Sequence, residues 1–172
     1  MNTLFFIAGG VAVVSAAMAI SRSNAIHGLL YLVVSLVSTG LIFFVLGAPF
    51  AAVLEVIIYA GAVMVLFVFV IMMLSLGGAK GTEKTWLGPG AWAGPVLLSL
   101  ILAVELIYVA GSGTLETHPI NMISPEEVSA SLFGPYALGV ELGSILLLSA
   151  LVGAFHLAGR VGLSRKQKGG PS

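Results

Sequence analysis

The sequence predicts an all-α integral membrane protein with five transmembrane helices, and three observations support this fold class. Of the 172 residues, 59% are hydrophobic and only 8% are charged, and the mean hydropathy is +1.13. A soluble domain carries about a quarter charged residues. The apolar residues fall into five long runs, and every basic residue follows the first, third or fifth run.

Each apolar run reaches the roughly 18 residues expected of a helix that crosses a bilayer. The breaks between the runs contain Gly, Pro, Ser, Asn or charged residues, which are typical of loops. We therefore predict one five-helix bundle over residues 1–158, with spans at about 3–20, 25–46, 50–76, 91–110 and 135–158.

Two segments lie outside the predicted spans. The outer loop 112–133 contains Ser124-Pro125-Glu126-Glu127, the pattern of an N-cap, a Pro at the first helical position and a capping-box Glu. We expect a short surface helix there. The tail 159–172 is basic and contains Gly, and we predict a disordered cytoplasmic tail.

The distribution of positive charge predicts the orientation. Cytoplasmic loops of membrane proteins carry an excess of Lys and Arg. In a five-span arrangement one side holds all seven basic residues, namely Arg22, Lys80, Lys84, Arg160, Arg165, Lys166 and Lys168. We therefore predict a periplasmic N-terminus and a cytoplasmic C-terminus. No basic residue precedes the first apolar run, so we expect a span there and not a signal peptide.

The composition also argues against several classes of function. A formal net charge of zero is not typical of a nucleic-acid-binding protein. The chain has no Cys to bind an iron–sulfur cluster or zinc, no cluster of His and carboxylates, and no Gly-rich phosphate loop. We expect the chain to bind no metal and no cofactor, so the redox centres of any redox enzyme it serves would lie in neighbouring subunits.

Three carboxylates lie inside predicted spans, namely Glu55, Glu105 and Glu141. An ionised acid at the bilayer centre costs about 2.5–3.5 kcal/mol, and intramembrane acids are usually functional. All three are expected roughly 8–11 Å from the outer ends of their helices. They are candidates for a proton path, because burial favours the neutral form that a proton carrier needs. The alternative is that each acid is protonated and holds helices together by hydrogen bonds. For Glu105 we favour such packing or a contact with a partner.

The second predicted span carries a polar face. Polar or small residues recur there at steps of three or four, at Asn24, His27, Gly28, Tyr31, Ser35 and Ser38. Lipid does not solvate such a face, so it should point into protein or water. Tyr31 and Ser35 are therefore further candidates for a hydrated proton path. Hydrogen bonding between helices is the alternative.

The third predicted span combines unusual length with a weak point. Its 27 residues would measure about 40 Å against a hydrocarbon core near 30 Å, so it must tilt, bend or protrude. Glu55 and Tyr59 are four residues apart and share a face. Gly61 follows, and glycine weakens a helix locally, as at bends and π-bulges. This pattern predicts a pliable joint beside a buried acid, or else a glycine that only admits a neighbouring helix.

Several stretches resemble one known family. The second span begins with NAIH at 24–27 and continues with LLYL at 29–32. The third span reads LEVIIYAGAVMVLFVFVIMML at 54–74, and the fifth combines LFGPY at 132–136 with residues 140–156. These stretches resemble subunit J of bacterial proton-pumping NADH:quinone oxidoreductase (respiratory complex I), the counterpart of subunit 6 in the mitochondrial enzyme. The resemblance covers nearly the whole chain.

The resemblance implies a non-catalytic core membrane subunit that couples quinone reduction in neighbouring subunits to proton translocation. FMN, iron–sulfur clusters, NADH and quinone would be bound by other subunits. The implied partners are subunits A, K, H and the antiporter-like subunit N, together with lipids of the bacterial inner membrane. A membrane subunit of a cation/proton antiporter and a purely structural helix bundle are the alternatives.

The resemblance also implies roles for individual residues. In the family, the third helix carries a π-bulge near its Tyr-Ala-Gly-Ala step, and straightening of the bulge is associated with switching between enzyme states and hydrating the proton path. The implied gate residues are Tyr59, Ala60, Gly61, Val65 and Phe67. The proton-path candidates are Glu55, Glu141, Tyr59, Tyr31 and Ser35. Glu105 lies outside the family pattern.

Overall fold

The computed structural model describes residues 2–75, 89–111 and 122–168. In these ranges all regular secondary structure is helical, and five helices are long and apolar enough to cross a membrane. The prediction of five membrane-spanning helices is thus confirmed. The spans are Thr3–Ser21, Ala25–Val45, Pro49–Met73, Trp92–Gly111 and Ala137–Ala158.

The chain forms two compact units, Met1–Ile123 and Ser124–Ser172. The helices of the first unit are α1 (Asn2–Ser21), α2 (Ala25–Val45), α3 (Pro49–Leu54), the π-helix π1 (Glu55–Val63), α4 (Met64–Ser75) and α5 (Pro89–Gly111). The third span consists of α3, π1 and α4, which follow one another without a break. In this unit α2 contacts α1, the third span and α5.

The core of the first unit lies between α1, α2 and α5. Its buried apolar residues are Ala8, Val11, Val34, Leu41, Leu102 and Val109. Lipid tails are as apolar as these side chains, so helices in a membrane associate mainly by close packing and hydrogen bonding. Close packing is visible at Gly28, where a Cβ would lie 3.0 Å from the carbonyl oxygen of Ala19.

Short connections orient the first three spans. The side chain of Asn24 caps α2 by accepting a hydrogen bond of 2.9 Å from the backbone N–H of Ile26. After α2, the chain turns at Gly47, whose φ of 86° lies in the left-handed region that favours glycine. The carbonyl oxygen of Gly47 also accepts a 3.1 Å hydrogen bond from the N–H of Ile123. This bond fixes the end of the first unit against the turn between the second and third spans.

The second unit consists of α6 (Pro125–Phe133) and α7 (Ala137–Lys168). The hydroxyl oxygen of Ser124 accepts a 3.2 Å hydrogen bond from the N–H of Glu127, and the N–H of Ser124 donates to the Glu127 carboxylate at 3.3 Å. These two bonds form a capping box, which satisfies backbone donors at the start of α6. The short helix predicted from residues 124–127 is therefore present and begins as expected.

The end of α7 differs from the predicted boundary. We expected a disordered tail from residue 159, but the helix continues to Lys168. The added segment contains Leu163, Arg165, Lys166 and Gln167, which have high helix propensity, and the next Gly-Gly-Pro sequence begins only at residue 169. The single five-helix bundle stays a prediction, because α6 and α7 form a unit of their own.

The predicted orientation also stays a prediction. It depends in part on Lys80 and Lys84, which lie outside the described residues. The same is true of most of the predicted outer loop, from residue 112 to residue 121.

The capping box supports a test of α6. The pKa of Glu126 is lowered, first by a hydrogen bond to its backbone N–H and second by the Ser124 side chain. We expect Ser124→Ala to destabilise α6 by about 1 kcal/mol. We also expect it to raise the pKa of Glu126 toward its ordinary value. A lowered pKa means that the ionised carboxylate stabilises the folded helix above the ordinary pKa, and that this contribution is lost as the pH falls through the lowered value.

The measurement is a pH titration of ¹³C-labelled Glu side chains in the full chain, followed by NMR. Ser129→Ala provides a matched control, because it removes the same hydroxyl from α6 outside the capping box. Equal titration curves for the two variants would contradict the proposed effect of the cap.

Candidate functional site

The third span contains a π-helix that begins at an acidic residue. π1 runs from Glu55 to Val63, and the N–H of Met64 after it is directed at the carbonyl oxygens of Tyr59 and Gly61. The bond from Met64 to Tyr59 spans five residues, which is the hydrogen-bond pattern of a π-helix. The predicted interruption of the third helix by π-helical structure is therefore confirmed. The nine-residue segment is longer than a single π-turn.

The local sequence suits this conformation. Val56, Ile57 and Ile58 are β-branched, and such side chains lower the preference for a regular α-helix. A Cβ on Gly61 would lie 3.3 Å from the carbonyl oxygen of Val56, five residues earlier. That contact is tight, so a glycine fits this turn of π1 with less displacement than any other residue. Gly61 and the β-branched run therefore both favour the π-helix over a continuous α-helix.

The start of π1 packs closely against α2. A Cβ on Gly40 would lie 3.1 Å from Val56 Cγ2, 3.3 Å from the carbonyl oxygen of Ala52 and 3.9 Å from Glu55 Cβ. The missing side chain of Gly40 thus creates the space that the third span occupies. Glu55 is half-buried, and its Cβ lies at this contact between the third span and α2.

The structure brings the proposed gate residues into one continuous stretch of helix. Tyr59, Ala60 and Gly61 belong to π1, whereas Val65 and Phe67 belong to α4 directly below it. Ala60 and Gly61 are half-buried, and the side chains of Tyr59, Val65 and Phe67 are exposed. The π-helical register therefore determines which way the exposed side chains of α4 face.

Ser35 and a neighbouring serine on the polar face of α2 are committed to hydrogen bonds between helices. Ser35 Oγ donates to the carbonyl oxygen of Ala12 at 2.9 Å, and Ser38 Oγ donates to that of Ala8 at 2.6 Å. These two hydroxyls therefore form the hydrogen bonds between helices that we expected as the alternative to a hydrated path. A role of Ser35 in proton transfer stays a prediction.

Tyr31, on the same face of α2, joins three elements. The ring is 1% exposed and lies beneath the Arg22 guanidinium, whose carbon is 5.2 Å from the ring centroid. Arg22 Nη2 also lies 3.3 Å from Tyr31 Oη. The same Oη packs directly on Gly94, so that a Cβ on this residue would overlap it. Tyr31 therefore connects the α1–α2 connection to the beginning of the fourth span.

The two remaining intramembrane acids have different surroundings. Glu141 lies on α7 in the second unit, where its side chain is exposed. Glu105 lies on α5 and is 5% exposed, and neither of its carboxylate oxygens has a hydrogen-bond partner. This burial agrees with the packing role that the sequence favoured for Glu105, but the expected hydrogen bond is absent among the described residues. Leu98, Leu102 and Val109 share its helical face.

The contact of Tyr31 with Gly94 was not predicted, because no periodic pattern relates residues so far apart in the chain.

Within the described residues, no three His, Cys, Asp or Glu side chains come together to hold a metal ion. The fold and the site define a class of polytopic membrane protein whose distinctive element is a π-helix with an acidic first residue.

Comparison with known proteins identifies the family. The family model described as NADH-ubiquinone/plastoquinone oxidoreductase chain 6 matches residues 15–157. The chain belongs to this family.

Three bacterial relatives are similar over most of their length. The protein of Pseudomonas aeruginosa is 51% identical over 163 residues, covering 91% of this chain and 96% of the relative. That of Escherichia coli (strain K12) is 46% identical over 172 residues, covering 96% and 94%. That of Buchnera aphidicola subsp. Schizaphis graminum is 49% identical over 158 residues, covering 91% and 97%. Each relative is named NADH-quinone oxidoreductase subunit J.

The packing of Tyr31 on Gly94 leads to a prediction about stability. We expect Gly94→Ala to destabilise the chain by about 1–3 kcal/mol, because the added methyl group overlaps a buried ring that cannot move freely. Adding Tyr31→Phe should recover part of the loss, since it removes the overlapping oxygen. The measurement is thermal unfolding of the purified full chain in detergent.

Gly10→Ala is the matched control, because a Cβ on Gly10 has no atom within 4 Å. It should leave stability unchanged or raise it slightly, as alanine is the better helix former. A melting temperature for Gly94→Ala that equals that of the control would refute the close contact.

Proposed function

We propose that this chain is a membrane subunit of NADH-quinone oxidoreductase that couples quinone reduction in neighbouring subunits to proton translocation. The observation that carries the proposal is the π-helix Glu55–Val63, which begins at a half-buried intramembrane acid. Membership of the chain 6 family and the names of the relatives support the parent complex. They do not favour the alternative of a cation/proton antiporter subunit. In this proposal FMN, the iron–sulfur clusters, NADH and quinone bind to other subunits.

A π-helix is a suitable switch inside a bilayer. Lipid offers no hydrogen bonds, so a spanning segment cannot expose backbone N–H or C=O groups when it changes shape. A change from π-helix to α-helix replaces bonds over five residues by bonds over four residues and leaves the backbone satisfied in both states. π1 can therefore change register without the cost that ordinary local unfolding would have in lipid.

Such a change would move the side chains of α4, the helix that follows π1. Each residue of an α-helix adds a rotation of about 100°. A shift of one residue within π1 would therefore turn α4, and with it Val65 and Phe67, by a similar angle. The bulky face of α4 could then occupy or leave the space beside the α2 contact. We propose that this rotation opens and closes a hydrated path for protons.

The proton path of the proposal begins with Glu55 and Tyr59. Both belong to π1, and Glu55 lies against α2 at Gly40, where a change in helix register would alter its surroundings. Gain or loss of a proton changes the cost of keeping Glu55 in the bilayer, so its protonation and the shape of π1 are linked. Glu141, Tyr31 and Ser35 are proposed to contribute further along the path.

The proposal includes an orientation and a set of partners. The N-terminus would be periplasmic and the C-terminus cytoplasmic, which the basic residues at the ends of the first, third and fifth spans support. The bacterial inner membrane is the proposed location. Subunits A, K, H and the antiporter-like subunit N would pack around the chain, and lipids would cover the remaining surface.

The first functional prediction concerns Gly61 in the π-helix π1. We expect Gly61→Val to lower proton pumping about fivefold, because the tight contact with Val56 would shift the balance between helix registers by about 1 kcal/mol. Assembly should be largely retained. Pumping is measured by quenching of a pH-sensitive dye in membrane vesicles, and assembly by native electrophoresis with NADH oxidation.

Gly10→Val serves as the control, since it adds the same side chain to a transmembrane helix where the chain leaves open space. Normal pumping by an assembled Gly61→Val enzyme would contradict the proposed role of π1 in the mechanism.

The second functional prediction concerns the acid. We expect Glu55→Gln to lower coupled turnover by about tenfold, since about 1.4 kcal/mol of lost bias between two states corresponds to that factor. Glutamine keeps the shape of the side chain and one carbonyl oxygen but cannot take up and release a proton. Coupled turnover is measured as NADH:quinone activity together with proton pumping.

Glu126→Gln is the control, because it makes the same chemical change in α6, outside the membrane spans. Full activity of Glu55→Gln would assign Glu55 to helix packing.

A further inference from the structure

Glu105 is an ionisable side chain within the core of the first unit. It lies on α5 one turn from Leu102 and Val109, two buried residues of the core that α5 forms with α1 and α2. The side chain is 5% exposed, and Oε1 and Oε2 both lack a hydrogen-bond partner. A carboxylate buried to this degree normally has a cation or several donors beside it. Glu105 has neither among the described residues.

The described residues of α1 and α2 carry no permanent charge, and Arg22 in the connection between these helices stacks on Tyr31. The segment Asn2–Ser21 of α1 contains no ionisable side chain. The ionisable residues of α2 are His27 and Tyr31. Tyr31 packs on Gly94, which precedes Glu105 by eleven residues, or about 16 Å along α5. His27 lies one turn further toward the same end of α2.

Two other ionisable side chains must be considered. Tyr108 lies on α5 itself and makes an interaction of its own. Glu55 packs against α2 at Gly40 and is itself an acid. Neither residue supplies the positive charge that an ionised Glu105 would require.

We propose that Glu105 is a proton-binding site, and that the core of α1, α2 and α5 holds its side chain as a neutral carboxylic acid throughout the working pH range. A buried acid without a partner binds a proton more readily than it remains charged. The ligand is a proton and not a metal cation, because Ca²⁺ or Mg²⁺ requires about six oxygen ligands and, among the described residues, no three His, Cys, Asp or Glu side chains come together. The bound proton can be directed at a carbonyl oxygen one turn earlier in α5, as hydroxyl side chains do in helices.

Glu105 differs from Glu55 because the backbone around Glu105 does not change register. Glu55 is half-buried at the start of a π-helix, where a change of backbone register alters its contacts. Glu105 is buried on a continuous α-helix, one turn from the core residues Leu102 and Val109. Its proton therefore does not exchange during turnover, and Glu105 is not part of the coupling path.

The test uses the assembled parent complex in membranes and compares it with a complex that carries Glu105→Gln. The infrared spectrum of the variant is subtracted from that of the parent. The difference should contain the C=O stretch of one protonated carboxylic acid, which the parent has and the variant lacks. We expect the band to keep its intensity from about pH 5 to about pH 9 and to be absent from redox-induced difference spectra. Coupled turnover of the variant should stay within about twofold of the parent.

Glu126→Gln is the control, since that exposed acid has a lowered pKa and should contribute no such band near neutral pH. Three results would overturn the proposal: no acid band lost in Glu105→Gln, a Glu105 band that titrates or responds to turnover, or a large loss of coupled turnover. Failure of Glu105→Gln to assemble would also contradict it, because a neutral amide of the same shape should replace a neutral acid. A lost and static Glu105 band leaves the separate proposal for Glu55 untouched.

Discussion

The close approach of α2 to its neighbours is the interaction on which the first unit depends. Helices in lipid gain little from burying apolar side chains, so their association requires backbone proximity and hydrogen bonds. Gly28 admits the backbone of α1, and Gly40 admits the start of π1. Between them, Ser35 and Ser38 donate hydrogen bonds to carbonyl oxygens of α1. The position of Glu55 beside α2 follows from this packing, because the third span can approach only where α2 lacks a side chain.

Much of this arrangement could be predicted from the sequence because it depends on local patterns. The five spans follow from runs of apolar residues, and the start of α6 follows from Ser124 and Glu127. The π-helix was expected from Gly61 and from the family resemblance, but its extent over nine residues was not. The polar face of α2 was recognised, yet the sequence could not say whether Ser35 faces water or a carbonyl group.

Long-range contacts were beyond the reach of the sequence. The stacking of Arg22 on Tyr31 and the contact of that ring with Gly94 join residues whose spacing follows no helical period. Part of the difference between Glu55 and Glu105 was expected from the sequence, which placed Glu55 beside Gly61 and favoured packing or a partner contact for Glu105. The missing hydrogen-bond partners of Glu105 were not expected. In the structure one acid borders an irregular backbone and the other is enclosed by regular helices. The same residue type is thereby suited to two different tasks.

The core of the first unit is built from the first, second and fourth spans, whereas the third span lies against α2. A chain is synthesised from its N-terminus, and the early segments are released before the later ones exist. The third span must therefore enter the membrane while Tyr31 and the inner faces of α1 and α2 still lack the helix that covers them. The order of insertion thus differs from the order of packing. A nascent chain arrested before α5 would present an unfinished surface, which a membrane protease or insertion chaperone could recognise.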